Sequence, residues 1–197
     1  MTVANFLTLV RLALAPVFVL FLKEETVSGL WSASAVFTVA ALTDTADGWL
    51  ARRTGTITRL GRALDPVADK LLVALALAMF AAMHVPGVAA WMVAVVVGRE
   101  VLVTALRTIA SRHGVGVPVS TLGKWKTTFQ MTFVFLWLGI MSFRALSSAD
   151  PAAWRQPGQP WEMLLRIAFA VTMLITIASG LDYAAKTRRA FRDRRGR

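Results

Sequence analysis

Six long apolar segments constrain this chain more than any other feature of its sequence. A helix needs about 20 mostly apolar residues to cross the hydrocarbon core of a membrane, and the 197 residues offer six such stretches with short connections. Short connections favour neighbours that run up and down, so we predict an all-α integral membrane protein with six transmembrane helices in one bundle. The predicted spans are 4–22, 29–50, 61–83, 87–110, 121–142 and 162–184.

Composition agrees with this prediction and excludes several other classes of protein. Hydrophobic residues make up 56% of the chain, charged residues 17%, and cysteine is absent, which excludes a disordered chain and a disulfide-stapled secreted module. The formal net charge of +11 is typical of proteins that bind nucleic acid or anionic lipid. Because a soluble nucleic-acid binder does not need so apolar a chain, we expect membrane lipids as partners and no nucleic acid.

The basic residues are divided unevenly between the two sets of connections. Arginine and lysine are concentrated between spans two and three, between spans four and five, and after span six. Basic connections stay in the cytoplasm, so we predict a multi-pass protein with both termini cytoplasmic. We divide the chain into a six-helix transmembrane domain over 1–185 and a basic cytoplasmic tail over 186–197, which suits an anionic leaflet.

Four aspartates fall inside predicted spans two and three, although an ionised aspartate at membrane depth costs about 2.5–3.5 kcal/mol. Asp44 and Asp47 are three positions apart, and Asp65 and Asp69 are four apart, so each pair shares a helix face. Four carboxylates in one pocket repel each other unless cations intervene, and two divalent ions carry the matching charge. Ligands that are all oxygen favour Mg²⁺, Mn²⁺ or Ca²⁺ over zinc.

Other interpretations of these acids remain open from the residues alone. Buried ion pairs with Arg52, Arg62 and Lys70 would give the aspartates a structural role. Intramembrane aspartates also occur in cation-transport sites, so a divalent-cation transporter is an alternative from a different class. A non-catalytic membrane anchor would explain the basic tail but not the acids.

The aspartates belong to a longer pattern that runs from Asp44 to Asp69. The chain reads D-T-A-D-G-W-L-A-R, then eight residues, then G-R-A-L-D-P-V-A-D. This resembles, without gap or mismatch, the CDP-alcohol phosphotransferase signature D-x2-D-G-x2-A-R-x8-G-x3-D-x3-D, and six spans fit the same family. The resemblance implies a catalytic domain over 1–185 that moves a phosphate-linked group from a CDP-activated donor to an alcohol and releases CMP.

The resemblance also implies roles for the residues of this pattern. The four aspartates would hold two Mg²⁺ or Mn²⁺ ions per active site, and Asp69 would also be the general base for the incoming hydroxyl. Arg52 is expected to clamp the donor diphosphate because its planar fork matches phosphate oxygens, with membrane anchoring as the alternative. Small residues would leave room for cytidine or allow tight helix packing; these are Gly48, Ala51 and Gly61.

The first span carries N-F-L-T-L-V-R from Asn5 to Arg11. Family members often begin similarly, commonly with a proline where this chain has Ala4. Asn5 and Thr8 are candidates for contacts with the nucleotide end of the donor, and helix capping is the alternative role for Asn5. Arg11 is costly inside a span unless it snorkels or meets an anion.

A second charged cluster lies in predicted spans four and five. Converging cations suit an acceptor that carries phosphate, although positive-inside anchoring also explains basic residues here. The runs R-E-x6-R and G-K-W-K-T-T-F-Q are similar to stretches of bacterial phosphatidylglycerophosphate synthases, which implies CDP-diacylglycerol as donor and sn-glycerol 3-phosphate as acceptor. The predicted acceptor-phosphate site comprises Arg99, Glu100, Arg107, Lys124 and Lys126, with Glu100 orienting a cation or the glycerol hydroxyls.

Alternatives within the family differ only in the acceptor. They are a cardiolipin synthase, a phosphatidylinositol phosphate synthase and a transferase to serine. The resemblance further implies a homodimer in the cytoplasmic (inner) membrane of a bacterium.

Overall fold

In the computed structural model, the described residues form six α-helices and one short 3-10 turn, Ala153–Arg155. The described residues are 3–54, 59–118, 120–150, 152–155 and 158–195, and the side chains of 3–5, 44–54, 59–67, 69, 154 and 195 lie outside that description. The helices are α1 (Val3–Lys23), α2 (Val27–Thr54), α3 (Arg59–Ala82), α4 (Ala90–Arg112), α5 (Thr121–Ser148) and α6 (Pro160–Arg195).

Each predicted span falls on one of these helices, so the predicted all-α, six-helix class is confirmed. Within the described residues, three helices are long and apolar enough to cross a membrane: Phe6–Lys23, Thr121–Ser148 and Pro160–Arg194. Two others have shorter apolar parts, Val27–Thr43 and Lys70–Ala82.

Helix α6 is 36 residues long, or about 54 Å at 1.5 Å per residue, whereas the hydrocarbon core of a bilayer is about 30 Å thick. Pro160 occupies its first position, where a missing backbone N–H leaves no intrahelical hydrogen bond unmade. The helix continues past Lys186 to Arg195, so most of the predicted basic tail is helical. The division of the chain at residue 185 stays a prediction.

The chain forms two compact units, of which the first comprises Met1–Met83 and Val134–Gln159. In this unit α1 packs against both α2 and α3. Buried residues recur every three or four positions, which places them on one face of each helix. These stripes include Ala15, Phe18 and Leu22 on α1; Leu30, Ala33, Phe37 and Ala40 on α2; and Ala68, Leu72, Ala76 and Phe80 on α3.

The second unit comprises His84–Phe133 and Pro160–Arg197. Here α4 packs against α6, and the ring of Phe133 on α5 lies 4.7 Å from that of Phe169 on α6. Between the same two helices, the Gln130 side-chain amide donates a hydrogen bond to the Thr176 hydroxyl at 3.3 Å. Apolar and polar contacts therefore join α5 to α6 within this unit.

Helix α4 ends in a backbone turn that redirects the chain. The Val115 N–H donates to the Ala110 carbonyl at 2.8 Å, and the Gly114 N–H donates to the Ser111 carbonyl at 3.0 Å. These two bonds close a helix in Schellman geometry. Gly114 has φ 64°, a left-handed conformation that glycine adopts without the strain a side chain would add.

Candidate functional site

The four aspartates of the sequence pattern lie on α2 and α3, which are in contact. Asp44 is ten residues before the end of α2, and Asp69 is ten residues after the start of α3, so both lie about 15 Å along their helices from the α2–α3 connection. Asp47 and Asp65, at seven and six residues from the same helix ends, lie about 9–11 Å along their helices. The two pairs therefore lie at similar distances, along their own helices, from the connection.

The side chains of these aspartates lie outside the described residues, so their role as metal ligands stays a prediction. Among the side chains that the structure describes, no three carboxylates or imidazoles are grouped as a metal site requires. The donor set itself fits the expected ions, because carboxylate oxygens are the ligands that Mg²⁺ and Mn²⁺ prefer.

The other donor-site candidates lie on the helices of the same unit. Thr8 is described and is 1% exposed, on the buried face of α1 with Arg11, which is also 1% exposed. The remaining candidates have side chains outside the described part of the chain; they are Asn5 on α1, Gly48, Ala51 and Arg52 on α2, and Gly61 on α3.

Three of the predicted acceptor-site residues form a buried charged cluster in the second unit: Arg99 and Glu100 on α4 and Lys126 on α5. Lys126 Nζ lies 2.5 Å, and Arg99 Nη1 3.0 Å, from the same oxygen, Glu100 Oε1. The side chains are 8% exposed for Lys126, 11% for Arg99 and 13% for Glu100. The formal charges of these three side chains sum to +1, in a place where water screens charge weakly.

Lys124 and Lys126 have different environments although they are two residues apart. Lys126 shares the buried face of α5 with Gln130 and Phe133, whereas Lys124 is exposed. The spacing explains the difference, because residues four and seven positions apart share a helix face and residues two apart do not. Lys124 is therefore available to an anion from solvent, and Lys126 is held by Glu100 inside the unit.

Arg107 contacts an aromatic ring of α6. Its guanidinium carbon lies 5.7 Å from the centre of the Tyr183 ring, a distance at which the cation is attracted to the ring face. Arg107 and Tyr183 both line a cavity of about 430 Å³, together with Ser111 and residues 114–117 after α4. Because Arg107 is exposed, a ligand in this cavity can reach its guanidinium.

Sequence reasoning missed the contribution of α6 to these two sites. Tyr183 supports Arg107, and three residues earlier Gly180 leaves space for Arg99, since a Cβ at Gly180 would lie only 3.0 Å from Arg99 Cγ. A glycine in an apolar helix gives no sign in the sequence of which side chain it accommodates.

Asp182 links α6 to the beginning of α5. Its Oδ2 accepts hydrogen bonds from the Ser120 hydroxyl and from Lys186 Nζ, the latter at 2.8 Å. Ser120 immediately precedes α5, so this bond fixes the start of the helix that carries Lys126. The spacing of Asp182 and Lys186 is a readable helical pair, but no local pattern pairs Asp182 with Ser120, 62 residues away.

Comparison with known proteins identifies the family to which a chain with these two sites belongs. The model of the CDP-alcohol phosphatidyltransferase family matches residues 1–181. The chain belongs to this family. The match includes every site residue predicted from the sequence, and the resemblance drawn from the aspartate pattern is confirmed.

Relatives of this CDP-alcohol phosphatidyltransferase are similar to it over nearly their full lengths. A protein of Bacillus subtilis named CDP-diacylglycerol–glycerol-3-phosphate 3-phosphatidyltransferase is 34% identical over 197 residues, covering 92% of this chain and 93% of the relative. Proteins with the same name from Escherichia coli K12 and Shigella flexneri serotype 5b are 35% identical over 189 residues, covering 94% of each chain. The sequence similarity to these relatives therefore covers nearly the whole chain, which contains both the charged cluster and the aspartate pattern.

Proposed function

We propose that this CDP-alcohol phosphatidyltransferase transfers a phosphatidyl group from CDP-diacylglycerol to sn-glycerol 3-phosphate, releasing CMP and forming phosphatidylglycerol phosphate. The near full-length similarity to enzymes named for this reaction carries the proposal. The aspartate pattern on α2 and α3 and the buried basic cluster of the second unit support it, because the reaction needs one site for a diphosphate and another for an acceptor phosphate.

The donor diphosphate is assigned to the aspartate pattern. Asp44, Asp47, Asp65 and Asp69 would hold two Mg²⁺ or Mn²⁺ ions, and such ions neutralise the diphosphate and stabilise the leaving phosphate oxygen when they are bound. Arg52 would hold the diphosphate through its planar fork. The cytidine end is assigned to α1 and to the small residues of the pattern, namely Asn5, Thr8, Gly48, Ala51 and Gly61.

Asp69 is the general base of this proposal. Its carboxylate takes the proton from the primary hydroxyl of glycerol phosphate, and the hydroxyl oxygen bonds to the phosphorus that carries diacylglycerol. The bond from that phosphorus to the bridging oxygen breaks, and CMP leaves with the electron pair. Phosphoryl transfer depends mainly on positioning and charge stabilisation, and a base acts once it is within hydrogen-bond reach of the hydroxyl.

The acceptor phosphate is assigned to the basic residues of the second unit. Glu100 orients Lys126 and Arg99 by hydrogen bonds of 2.5 and 3.0 Å, and the net positive charge suits a phosphate dianion. Arg107 and Lys124, both exposed, would add contacts from the solvent side.

We also propose a topology and a location for the protein in the membrane. Six membrane-crossing helices would bring both termini to the same side, and the basic connections favour the cytoplasm for that side. The relatives are bacterial, so we assign the protein to the cytoplasmic (inner) membrane. The family resemblance further supports a homodimer.

The test is CMP release by the purified protein with CDP-diacylglycerol and Mg²⁺, with glycerol 3-phosphate, phosphatidylglycerol, inositol phosphate or serine as acceptor. We expect release that depends on glycerol 3-phosphate and stops with EDTA. Release with another acceptor would indicate a cardiolipin synthase, a phosphatidylinositol phosphate synthase or a serine transferase, and would overturn the acceptor assignment. Folded protein that releases no CMP but moves divalent cations across vesicles would be a transporter.

Two arginines of α4 provide a matched pair for the acceptor site. Arg107→Met removes the cation beside Tyr183 and should raise the KM for glycerol 3-phosphate about tenfold or more, since a hydrogen bond to a charged group contributes about 1.5–3 kcal/mol, while the KM for CDP-diacylglycerol is unchanged. Arg112→Met removes an exposed arginine from the last turn of the same helix and should change neither. Equal effects of the two variants would indicate general electrostatic attraction rather than a site at Arg107.

A further inference from the structure

The buried stripes of α1 and α2 meet in a defined antiparallel register. Only three residues connect the helices, and helices that pack together across so short a connection run antiparallel. The rings of Phe18 and Phe37 are 5.6 Å apart and fix which positions face each other. We step back along α1 and forward along α2 by the same three or four residues. These steps place the following helix positions opposite each other: 22 and 33, 18 and 37, 15 and 40, 11 and 44, and 8 and 47.

We call these paired positions the α1–α2 seam. All five of its α1 side chains are buried, with exposed fractions of 0–1%, and the described α2 positions of the seam, Ala33, Phe37 and Ala40, are each 0% exposed. The seam is apolar where α1 ends and α2 begins. It becomes polar toward the other end, where Thr8 and Arg11 stand on α1 and two of the aspartates follow on α2.

Arg11 requires an anion at this place. It lies in the apolar stretch Phe6–Lys23, which is long enough to span a membrane, and it is 1% exposed. A guanidinium stays protonated in proteins, and a buried charge that meets no opposite charge is strongly destabilising. Among the described contacts, α1 packs against α2 and α3, and both of these helices carry aspartates of the pattern.

On α2, the register places one aspartate position opposite Arg11. Arg11 is seven residues before Phe18, and Asp44 is seven residues after Phe37. Seven residues are about two helical turns, so both positions return to the face on which the two rings meet. The seam thus brings one end of the aspartate pattern opposite the single arginine of α1.

We propose that Arg11 is a built-in counter-charge of the aspartate pattern, standing opposite position 44 across the α1–α2 seam, and that its attraction to Asp44 positions α2 for the donor site. This rests on the proposed function only in treating the pattern as a cation site. Arg11 and the four aspartates together carry a formal charge of −3, against −4 for the aspartates alone. The helices are therefore held together when no divalent ion is bound, and Arg11 acts through Asp44 without touching substrate.

A double-mutant cycle on thermal stability tests the pairing. The variants are Arg11→Met, Asp44→Asn and their combination, measured as purified full-length protein in EDTA without substrate. Breaking a buried pair by removing one partner should lower the Tm by about 6–20 °C. Because the combined variant has neither charge, its Tm should lie above that of Arg11→Met. A combined loss equal to the sum of the single losses would overturn the pairing, since residues that do not interact are additive.

Controls keep the result specific to the seam. Arg144→Met removes an arginine of α5 in the same unit but outside the seam, so its effect should be additive with Asp44→Asn. Arg11→Lys keeps the charge and should keep most of the coupling. If Arg11→Met does not accumulate as folded protein, accumulation of the combined variant supports the pairing; failure of both, when Asp44→Asn accumulates, overturns it.

Mg²⁺ provides a second readout that is independent of turnover. A divalent ion replaces part of the missing positive charge, so Mg²⁺ should raise the Tm of Arg11→Met by more degrees than the Tm of the unmodified protein. Equal increments would contradict the counter-charge role. If Mg²⁺ raises neither Tm while coupling in EDTA persists, the cation site of the proposed function fails and the Arg11–Asp44 pair stands.

Discussion

Replacing Glu100 with glutamine perturbs the buried charged cluster with little change of shape. Glu100 Oε1 lies 2.5 Å from Lys126 Nζ and 3.0 Å from Arg99 Nη1. The substitution leaves two cations, with side chains 8% and 11% exposed, without the carboxylate that they share. Removing the charged partner of a buried ion pair costs about 3–5 kcal/mol, which corresponds to a Tm lower by about 6–20 °C at 2–4 °C per kcal/mol.

Replacing Lys126 or Lys124 should destabilise the protein less than Glu100→Gln does. Lys126→Met leaves Arg99 paired with Glu100 and removes the charged hydrogen bond to Glu100, which should cost about 1.5–3 kcal/mol or about 3–12 °C. Lys124→Met alters an exposed side chain and should stay within about 0.5 kcal/mol. The expected order of destabilisation is Glu100→Gln, then Lys126→Met, then Lys124→Met.

The assay is thermal unfolding of the purified protein in detergent without substrate, followed by tryptophan fluorescence. Inorganic phosphate should raise the Tm of Glu100→Gln more than that of the unmodified protein, because a more positive cluster binds a dianion more tightly. Adding Lys126→Met to Glu100→Gln should recover part of the lost stability. A larger loss for Lys126→Met than for Glu100→Gln would refute the reasoning, because the shared carboxylate would then not be what stabilises the cluster.

Two further predictions concern the general base and the packing of α6. Asp69→Asn should abolish CMP release while the Tm in EDTA stays near that of the unmodified protein; near-normal turnover would remove Asp69 as the base. Gly180→Ala places a methyl group 3.0 Å from Arg99 Cγ and should cost about 1–3 kcal/mol by overpacking. Gly98→Ala, in α4 where a Cβ meets nothing within 4 Å, should instead stabilise by about 0.5–1 kcal/mol; equal Tm changes for the two glycines would contradict the packing argument.

The helices could be predicted from the sequence, whereas their exact extents could not. Apolar runs of about 20 residues identify spans, and all six proved helical. Helix α6 nevertheless continues beyond the predicted end at 184 to Arg195. Arginine, lysine and alanine are strong helix formers, so the helix persists where the apolar run stops. Hydropathy predicts which residues are buried in lipid, whereas the length of a helix also depends on the helix propensity of its residues.

The candidate sites, like the helices, could be predicted only in part from the sequence. The sequence supplied the aspartate pattern and the members of the basic cluster, because both depend on residue types at fixed local spacings. It treated Lys124 and Lys126 alike, and only the packing of α5 distinguishes the exposed lysine from the one bound to Glu100. The support from Asp182 and Tyr183 joins residues distant in the chain, for which a single sequence carries no signal.

The α1–α2 seam has a consequence for how the protein enters the membrane. Asp44 follows Arg11 by 33 residues, so at about 5–20 residues per second the ribosome delivers it about 2–7 seconds later. During that interval α1 holds an arginine that costs about 2.5–3.5 kcal/mol at bilayer depth on insertion scales. On the proposed relation between Arg11 and Asp44, the arrival of the second helix removes this cost, and the two helices would form a single unit of biogenesis, a helical hairpin.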